Sequence, residues 1–138
     1  MADINEFNRH LIDEFRTNGG KVSGPFGNAP ILLLTTTGAK SGKERINPLV
    51  FTRDGDRIVI IASKGGYPTS PDWFHNLVAH PDVRVELPGE TFEAKATVVD
   101  GGERDRLFAA QAALMPNFTE YQEKTERRIP VVVLDRVA

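Results

Sequence analysis

Two turn signals, each set between β-branched apolar runs, constrain the fold of this chain more than any other feature. Asp54-Gly55-Asp56 separates Ile46–Arg53 from Arg57–Ser63, and Pro88-Gly89-Glu90 separates Val83–Leu87 from Thr91–Val99. Short strand-forming runs joined by glycine-containing turns fold as antiparallel hairpins. Ile31–Thr37 and Ile129–Asp135 are two more such runs, so about six strands are expected. Pro48 lies inside one run and has no N–H to give a ladder, which predicts an edge or bulge position. Helices fall between the strands. Ile4, Phe7, Leu11, Ile12 and Phe15 recur at helical spacing and predict an N-terminal helix at about 3–17. Asp3 and Glu6 resemble a capping box, and Asn18-Gly19-Gly20 stops the helix. Lys21–Pro30 reads as an irregular connector, Asp72–Ala79 as a short helix between Pro71 and His80-Pro81, and Glu103–Met115 as another. A broken helical stretch follows to Arg127. Hairpins in this order lack the strand–helix alternation of a parallel sheet. The expected class is therefore mainly β with peripheral helices (α+β), a small antiparallel barrel. With 138 residues it is expected to form a single domain, 1–138.

Composition narrows the function classes. A net charge of -2 argues against a general nucleic-acid binder, although a local basic site is compatible with it. The chain has no cysteine, which excludes disulfides, iron–sulfur clusters and thiol nucleophiles. His10, His75 and His80 lack any ligand spacing, so no metal site is expected. The acidic N-terminus is unlike a signal peptide, and no apolar run approaches the ~20 residues needed to span a bilayer. A cytoplasmic location is expected. The apolar face of the N-terminal helix can pack on the barrel, on a partner or on a membrane surface, and its lack of a strongly basic polar face disfavours the membrane.

Chemistry concentrates between Thr35 and Leu77. In Gly38-Ala39-Lys40-Ser41-Gly42-Lys43-Glu44-Arg45 the cations outnumber the single acid, and glycines let backbone N–H groups approach a ligand. Such a loop binds a phosphate or carboxylate, or else is a solvated hairpin turn. It is not a P-loop, because the spacing is too short and Glu44 stands where Ser or Thr is required. Ser63-Lys64-Gly65-Gly66 ends an apolar strand, and its glycines suggest close backbone approach to a planar group. If the strands before the two loops are neighbours, both loops open on one rim. Trp73 reads first as helix packing, and Asn76 as a ligand contact or a turn cap. Met115, Phe118 and Tyr121 share one helical face, which is either core or an aromatic lid.

In combination these pieces resemble the deazaflavin-dependent nitroreductase family of actinobacteria. The matching motifs are Thr36–Leu49, Asp54-Gly55, Ser63–Gly66, Pro71–Leu77 and Thr125–Val131, from about residue 30 to the C-terminus. The resemblance implies a split β-barrel, FMN-binding-like, that binds coenzyme F420, an 8-hydroxy-5-deazaflavin. It implies tail-side contacts at Lys40, Ser41, Gly42, Arg45 and Pro48, and ring-side contacts at Ser63, Lys64, Gly65 and Gly66, with Trp73 joining the cofactor set. The implied reaction is hydride transfer from the reduced deazaflavin to an electron-poor acceptor, in which the cofactor carries the chemistry. Tyr121 is the favoured proton donor, with Ser63 or water as alternatives. Met115, Phe118 and Tyr121 form the implied substrate side.

The chain departs from the family pattern at two places. Ala39 stands at a position that is often basic, and Met115 and Phe118 stand where nitro-reducing relatives carry tyrosines. A quinone or other conjugated acceptor is therefore expected ahead of a bulky nitroimidazole. The alternatives are an FMN-dependent split-barrel oxidoreductase and a non-catalytic F420 carrier. The assembly is expected to be a monomer or a homodimer.

Overall fold

A computed structural model describes residues 2–18, 30–63, 70–126 and 128–137, with residues 2–8 described through their backbone. Helix α1 spans Ala2–Thr17 and is followed by strands β1 Ile31–Thr37, β2 Glu44–Val50, β3 Thr52–Asp54 and β4 Arg57–Ile61. Then come α2 Asp72–Ala79, β5 Asp82–Leu87, β6 Glu90–Val99, α3 Gly101–Leu114, α4 Asn117–Glu123 and β7 Val131–Arg136. The seven strands form one antiparallel sheet in the order β2-β1-β5-β6-β7-β4-β3. Its two edge strands, β2 and β3, are consecutive in sequence and separated by Phe51 alone. The sheet therefore wraps back on itself as a barrel, split where this one extended path passes between β1 and β4.

Both predicted hairpins form, as β3–β4 and β5–β6. Pro48 lies on edge strand β2, where a missing N–H costs no ladder bond. The expected six strands become seven because Ile46–Arg53 breaks at Phe51. There the N–H bonds Pro30 O at 3.2 Å instead of a sheet partner, and the side chain turns into the core. β7 starts two residues later than expected because Ile129 and Pro130 serve as anchors before the ladder begins. The helical stretch predicted to reach Arg127 ends at Glu123. The helix stop at Gly19-Gly20, the connector over 21–29 and Arg127 lie outside the described residues.

Strand alternation sorts the core into an inside and two outer faces. Leu32 and Leu34, Ile58 and Ile60, Val83 and Val85, Ala94 and Ala96, and Val132 and Leu134 fill the barrel with Phe51. Trp73 and Leu77 of α2 plug the same cluster. The alternate residues of β1, Ile31 and Leu33, are covered by Phe15 and Ile12 of α1, together with Ile46 and Val50 of β2. Those of β4 and β7, Val59, Ile61, Val131 and Val133, are covered by Leu107 and Phe108 of α3 and Phe118 of α4. This is why β1, β4 and β7 are continuous apolar runs, whereas β5 and β6, whose outer sides meet a helix only near Glu86 and Val99, alternate. The described part of the α1 apolar face is thus used on the barrel, and Arg16 fastens it with paired bonds to Glu86 at 3.0 and 2.6 Å. No helix among the described residues is long and apolar enough to cross a membrane.

Two buried polar side chains hold the helical layer together. Arg104 of α3 donates from Nε and Nη2 to Ile129 O at 3.1 and 2.8 Å, and from Nη2 to Gln122 Oε1 at 2.7 Å. The same Gln122 oxygen accepts the Ile129 N–H at 3.0 Å. Arg104 thereby fixes α4 and the approach to β7 onto α3. Gln111, fully buried, accepts from Thr52 Oγ1 at 3.2 Å and ties α3 to β3.

Candidate functional site

All adjacent strands are antiparallel, so β1, β6 and β4 run one way and β2, β5, β7 and β3 the other. β1 and β4 are not neighbours, since β5, β6 and β7 lie between them in the ladder. The condition set for the two loops to share a rim therefore fails as stated. Their common direction meets the same end by another route: Gly38 after β1 and Ala62-Ser63 after β4 both leave at one end of the barrel. The Ala62 N–H bonds Pro130 O at 3.0 Å, which holds that exit beside the start of β7.

The β1–β2 loop is shaped by its own sequence. Gly42 has φ 71°, a left-handed conformation that L side chains avoid. At Gly38 a Cβ would meet Ser41 Oγ at 2.5 Å and Lys43 O at 3.2 Å, so the loop folds back where only glycine fits. Gly38 N–H donates to Lys43 O at 2.7 Å and Gly42 N–H to Gly38 O at 3.0 Å. Lys43 N–H donates to Ser41 Oγ at 3.2 Å and Ala39 N–H to Asn76 Oδ1 at 3.0 Å. Within the Gly38–Lys43 loop this leaves the N–H groups of Lys40 and Ser41 without a partner among the described residues. The anion nest read from the glycines thus narrows to one adjacent N–H pair, at the exposed tip of the turn.

Charge supports the same place. Lys40, Lys43 and Arg45 are exposed and clustered, and none has a carboxylate partner among the described residues; Arg9, Arg53, Lys95 and Lys124 share that property but are scattered in the sequence, whereas Arg16, Arg57, Arg84, Arg104, Arg106, Arg128 and Arg136 are paired. Glu44 lies on the opposite face of β2 from Arg45, in the field of Arg84. That guanidinium is held charged first by its hydrogen bond to Glu93 and further by Glu93 and Glu44 through space. The loop cations are therefore not quenched from within.

Register places the remaining candidates. Thr36 pairs with Arg45 and Leu34 with Asn47, so Arg45 and Asn47 share the inner face with Leu49. Pro48 pairs with Leu33 on the outer face and is buried, so it packs toward α1 instead of standing with Arg45. Trp73, 6% exposed, is a plug of the barrel core. Phe118, 7% exposed, is wedged under the helical layer, the core alternative for the Met115–Phe118–Tyr121 stripe. Met115 and Tyr121 are half-buried at its margin. Tyr121 packs edge-on to Phe118 at 5.3 Å, and its oxygen accepts from Asn117 Nδ2 at 2.8 Å. Ala62 faces the interior cluster, so continued alternation puts Ser63 on the Ile61 side, where Met115 and Tyr121 also lie. Lys64, Gly65 and Gly66 lie outside the described residues. His10, His75 and His80 are exposed, and no cluster among the described residues suits a metal ion.

Asn76 is the site residue that sequence reading left undecided. It is buried on α2, accepts from Ala39 N–H, and donates from Nδ2 to Thr36 Oγ1 at 3.2 Å. Its signal in the sequence is a polar residue on the helix face that also carries Trp73 and Leu77. A cleft of about 460 Å³ opens at the other end of the barrel, beside Arg53, Asp56, Phe92 and Arg136. Its Arg136 is bound to Glu90 and stacked over Phe92 at 4.1 Å. Arg53 of the same cleft has no carboxylate partner among the described residues and lies over the Phe51 ring at 5.6 Å. The Gly38–Arg45 loop differs from this cleft in setting exposed cations beside open backbone donors, a combination that suits an anion.

A split barrel is the class that this fold defines. The family model for F420H(2)-dependent quinone reductase matches residues 7–136, and the chain belongs to that family. An F420H(2)-dependent quinone reductase of Mycobacterium tuberculosis is 42% identical over 126 residues, covering 88% of this chain and 85% of the relative. A solved F420-H2 dependent reductase is 39% identical with a TM-score of 0.71, covering 77% of this chain and 94% of its own. A solved domain-swapped dimer is 34% identical with a TM-score of 0.73, covering 96% of each chain. The split-barrel fold expected from the resemblance is therefore the fold of its relatives.

Proposed function

We propose that this F420-dependent oxidoreductase reduces quinones while holding the anionic tail of the cofactor on Lys40, Ser41, Gly42 and Arg45 and its ring beside Ser63. Family membership makes F420 the cofactor in place of FMN, and an enzyme in place of a carrier. The observation that carries the tail assignment is the group of loop cations without a carboxylate partner among the described residues, set around the adjacent Lys40 and Ser41 N–H groups, on a loop that leaves no room for a Cβ at Gly38 and takes a positive φ at Gly42. A phosphate or carboxylate would be met by two backbone donors, by the Ser41 hydroxyl hydrogen and by three mobile cations. Charge-assisted bonds of this kind are about twice as strong as neutral ones. Lys43 belongs with this group by the same criterion.

When bound, the reduced deazaflavin supplies the hydride. The protein orients and excludes water. Ser63 leaves β4 on the side of Met115 and Tyr121, so a ring there would have the half-buried margin of the α3–α4 layer as its wall. Asn117 donates to the Tyr121 oxygen, which turns the phenol so that its own hydrogen is available to an acceptor. Lys64, Gly65 and Gly66 keep the ring-side role that the family resemblance implies. Pro48, Trp73 and Phe118 act as packing. We also infer a homodimer from the domain-swapped relative, and a purely monomeric mass by sedimentation would refute it.

Lys40→Ala with Arg45→Ala tests the tail assignment. Fluorescence titration should show F420 binding weakened roughly tenfold or more at low salt, with the tail-less chromophore changed less than about threefold. Equal losses for both ligands would remove the tail from this loop.

A further inference from the structure

We propose that Asn76 is a positioning residue that sets the anion-binding shape of the Gly38–Lys43 loop and locks that loop to α2. Its amide orientation follows from chemistry, because Ala39 N–H can only donate and must face Oδ1, which leaves Nδ2 for Thr36 Oγ1. The residue itself cannot drift. Trp73 and Leu77, on the same helix, are packed into the barrel core, and the Asn76 carbonyl accepts the His80 N–H at 2.8 Å to close the helix.

The consequence for the loop is specific. Gly38, Gly42 and Lys43 N–H groups are satisfied inside the turn, so Ala39 is the single loop N–H drawn to another element. Holding it inward leaves the next two, Lys40 and Ser41, as the pair presented at the tip. Without the Asn76 oxygen, Ala39 N–H would be unpartnered, and the loop would turn to find water or a ligand atom. The shape offered to an anion would then be one of several. α2 is also the helix entered from the ring-side segment, through Ser70 and Pro71. Asn76 therefore joins the tail-side and ring-side segments mechanically, a role that rests on the tail reading given above.

Asn76→Leu keeps the branched heavy-atom shape with bulkier tips and removes both bonds, while Thr36→Val removes only the bond that does not touch the loop. Three measurements are made on each: unfolding temperature without ligand, hydrogen exchange of the Ala39 amide, and affinity for F420 against its tail-less chromophore. Asn76→Leu should lose Ala39 protection and bind F420 about tenfold more weakly, with the tail-less chromophore changed less than about twofold. Thr36→Val should lower the unfolding temperature yet keep Ala39 protection and F420 affinity within about twofold. Equal loss of F420 affinity in the two variants, or a protected Ala39 amide in Asn76→Leu, would overturn the positioning role. If Lys40→Ala with Arg45→Ala weakens both ligands equally, the tail reading fails and this role fails with it. If that double variant discriminates and Asn76→Leu does not, the positioning role alone fails. Should Asn76→Leu not fold, Asn76→Asp keeps an acceptor for Ala39 and for the Thr36 hydroxyl. Ala39 protection is then expected to persist, and its loss would overturn the role.

Discussion

Replacing Arg104 by Met should destabilise the fold by an amount that its contacts define. The guanidinium spends two donors on the carbonyl of Ile129, a residue 0% exposed, and one on Gln122. It also lies over the Phe108 ring at 4.5 Å. Its bond to Asp105 at 3.1 Å reaches a carboxylate that is 59% exposed, so that pair is discounted. A charged donor to a buried carbonyl contributes about 1.5–3 kcal/mol, and the ring contact adds about 0.5–1 kcal/mol. Gln122 keeps the Ile129 N–H, so no second orphan is created. The expected loss is about 3 kcal/mol. For 138 residues the unfolding entropy near the midpoint is about 0.3 kcal/mol per degree, so the midpoint should fall by ~10 °C. Thermal unfolding followed by circular dichroism, at fixed pH and protein concentration, reads this directly. Arg104→Lys should recover less than half of the loss, because one ammonium cannot reproduce the fork. A fall below about 3 °C for Arg104→Met would refute the assignment of Arg104 as the clasp between α3, α4 and β7.

Asp54 has its carboxyl pulled down to about 2, first by its hydrogen bond from Arg106 and then by that from Arg57. A depressed carboxylate contributes stability above its unfolded value near ~3.9 and loses it as pH falls toward about 2. Arg106→Leu should therefore flatten the acid limb of the unfolding midpoint against pH over that window, and parallel limbs for the two proteins would contradict the pairing. Tyr121→Phe should lower quinone turnover several-fold without altering F420 affinity, as steady-state rates and fluorescence titration would show; unchanged turnover would take the phenol out of proton delivery.

Much of the fold is legible in the chain because its signals are local. Asp54-Gly55-Asp56 and Pro88-Gly89-Glu90 specify hairpins through turn conformation, and both form. α2 has the predicted bounds, and Pro48 sits on an edge strand as its missing N–H requires. The Gly38–Lys43 loop is legible as a charged, glycine-shaped turn. Its two glycines answer to local needs, a positive φ at Gly42 and a fold-back at Gly38.

What the tertiary structure alone decided is which distant groups meet. A continuous apolar run announces burial on two faces and does not say what covers them. α1 over β1 and the α3–α4 layer over β4 and β7 are therefore tertiary facts, and the same layer closes over Phe118. The ends of β1 and β4 point the same way through parity along the sheet, which no pairwise pattern records. Asn76 reaches Ala39 and Thr36 across 37 and 40 residues, and Arg104 reaches Ile129 across 25. In the sequence both are only polar residues on apolar helix faces. That pattern reports that a buried partner exists, because an unpaired polar group in a core is costly, but not which residue supplies it. The chain alone determined a basic, glycine-shaped turn; packing of α2 against the barrel decided which of its donors remain open.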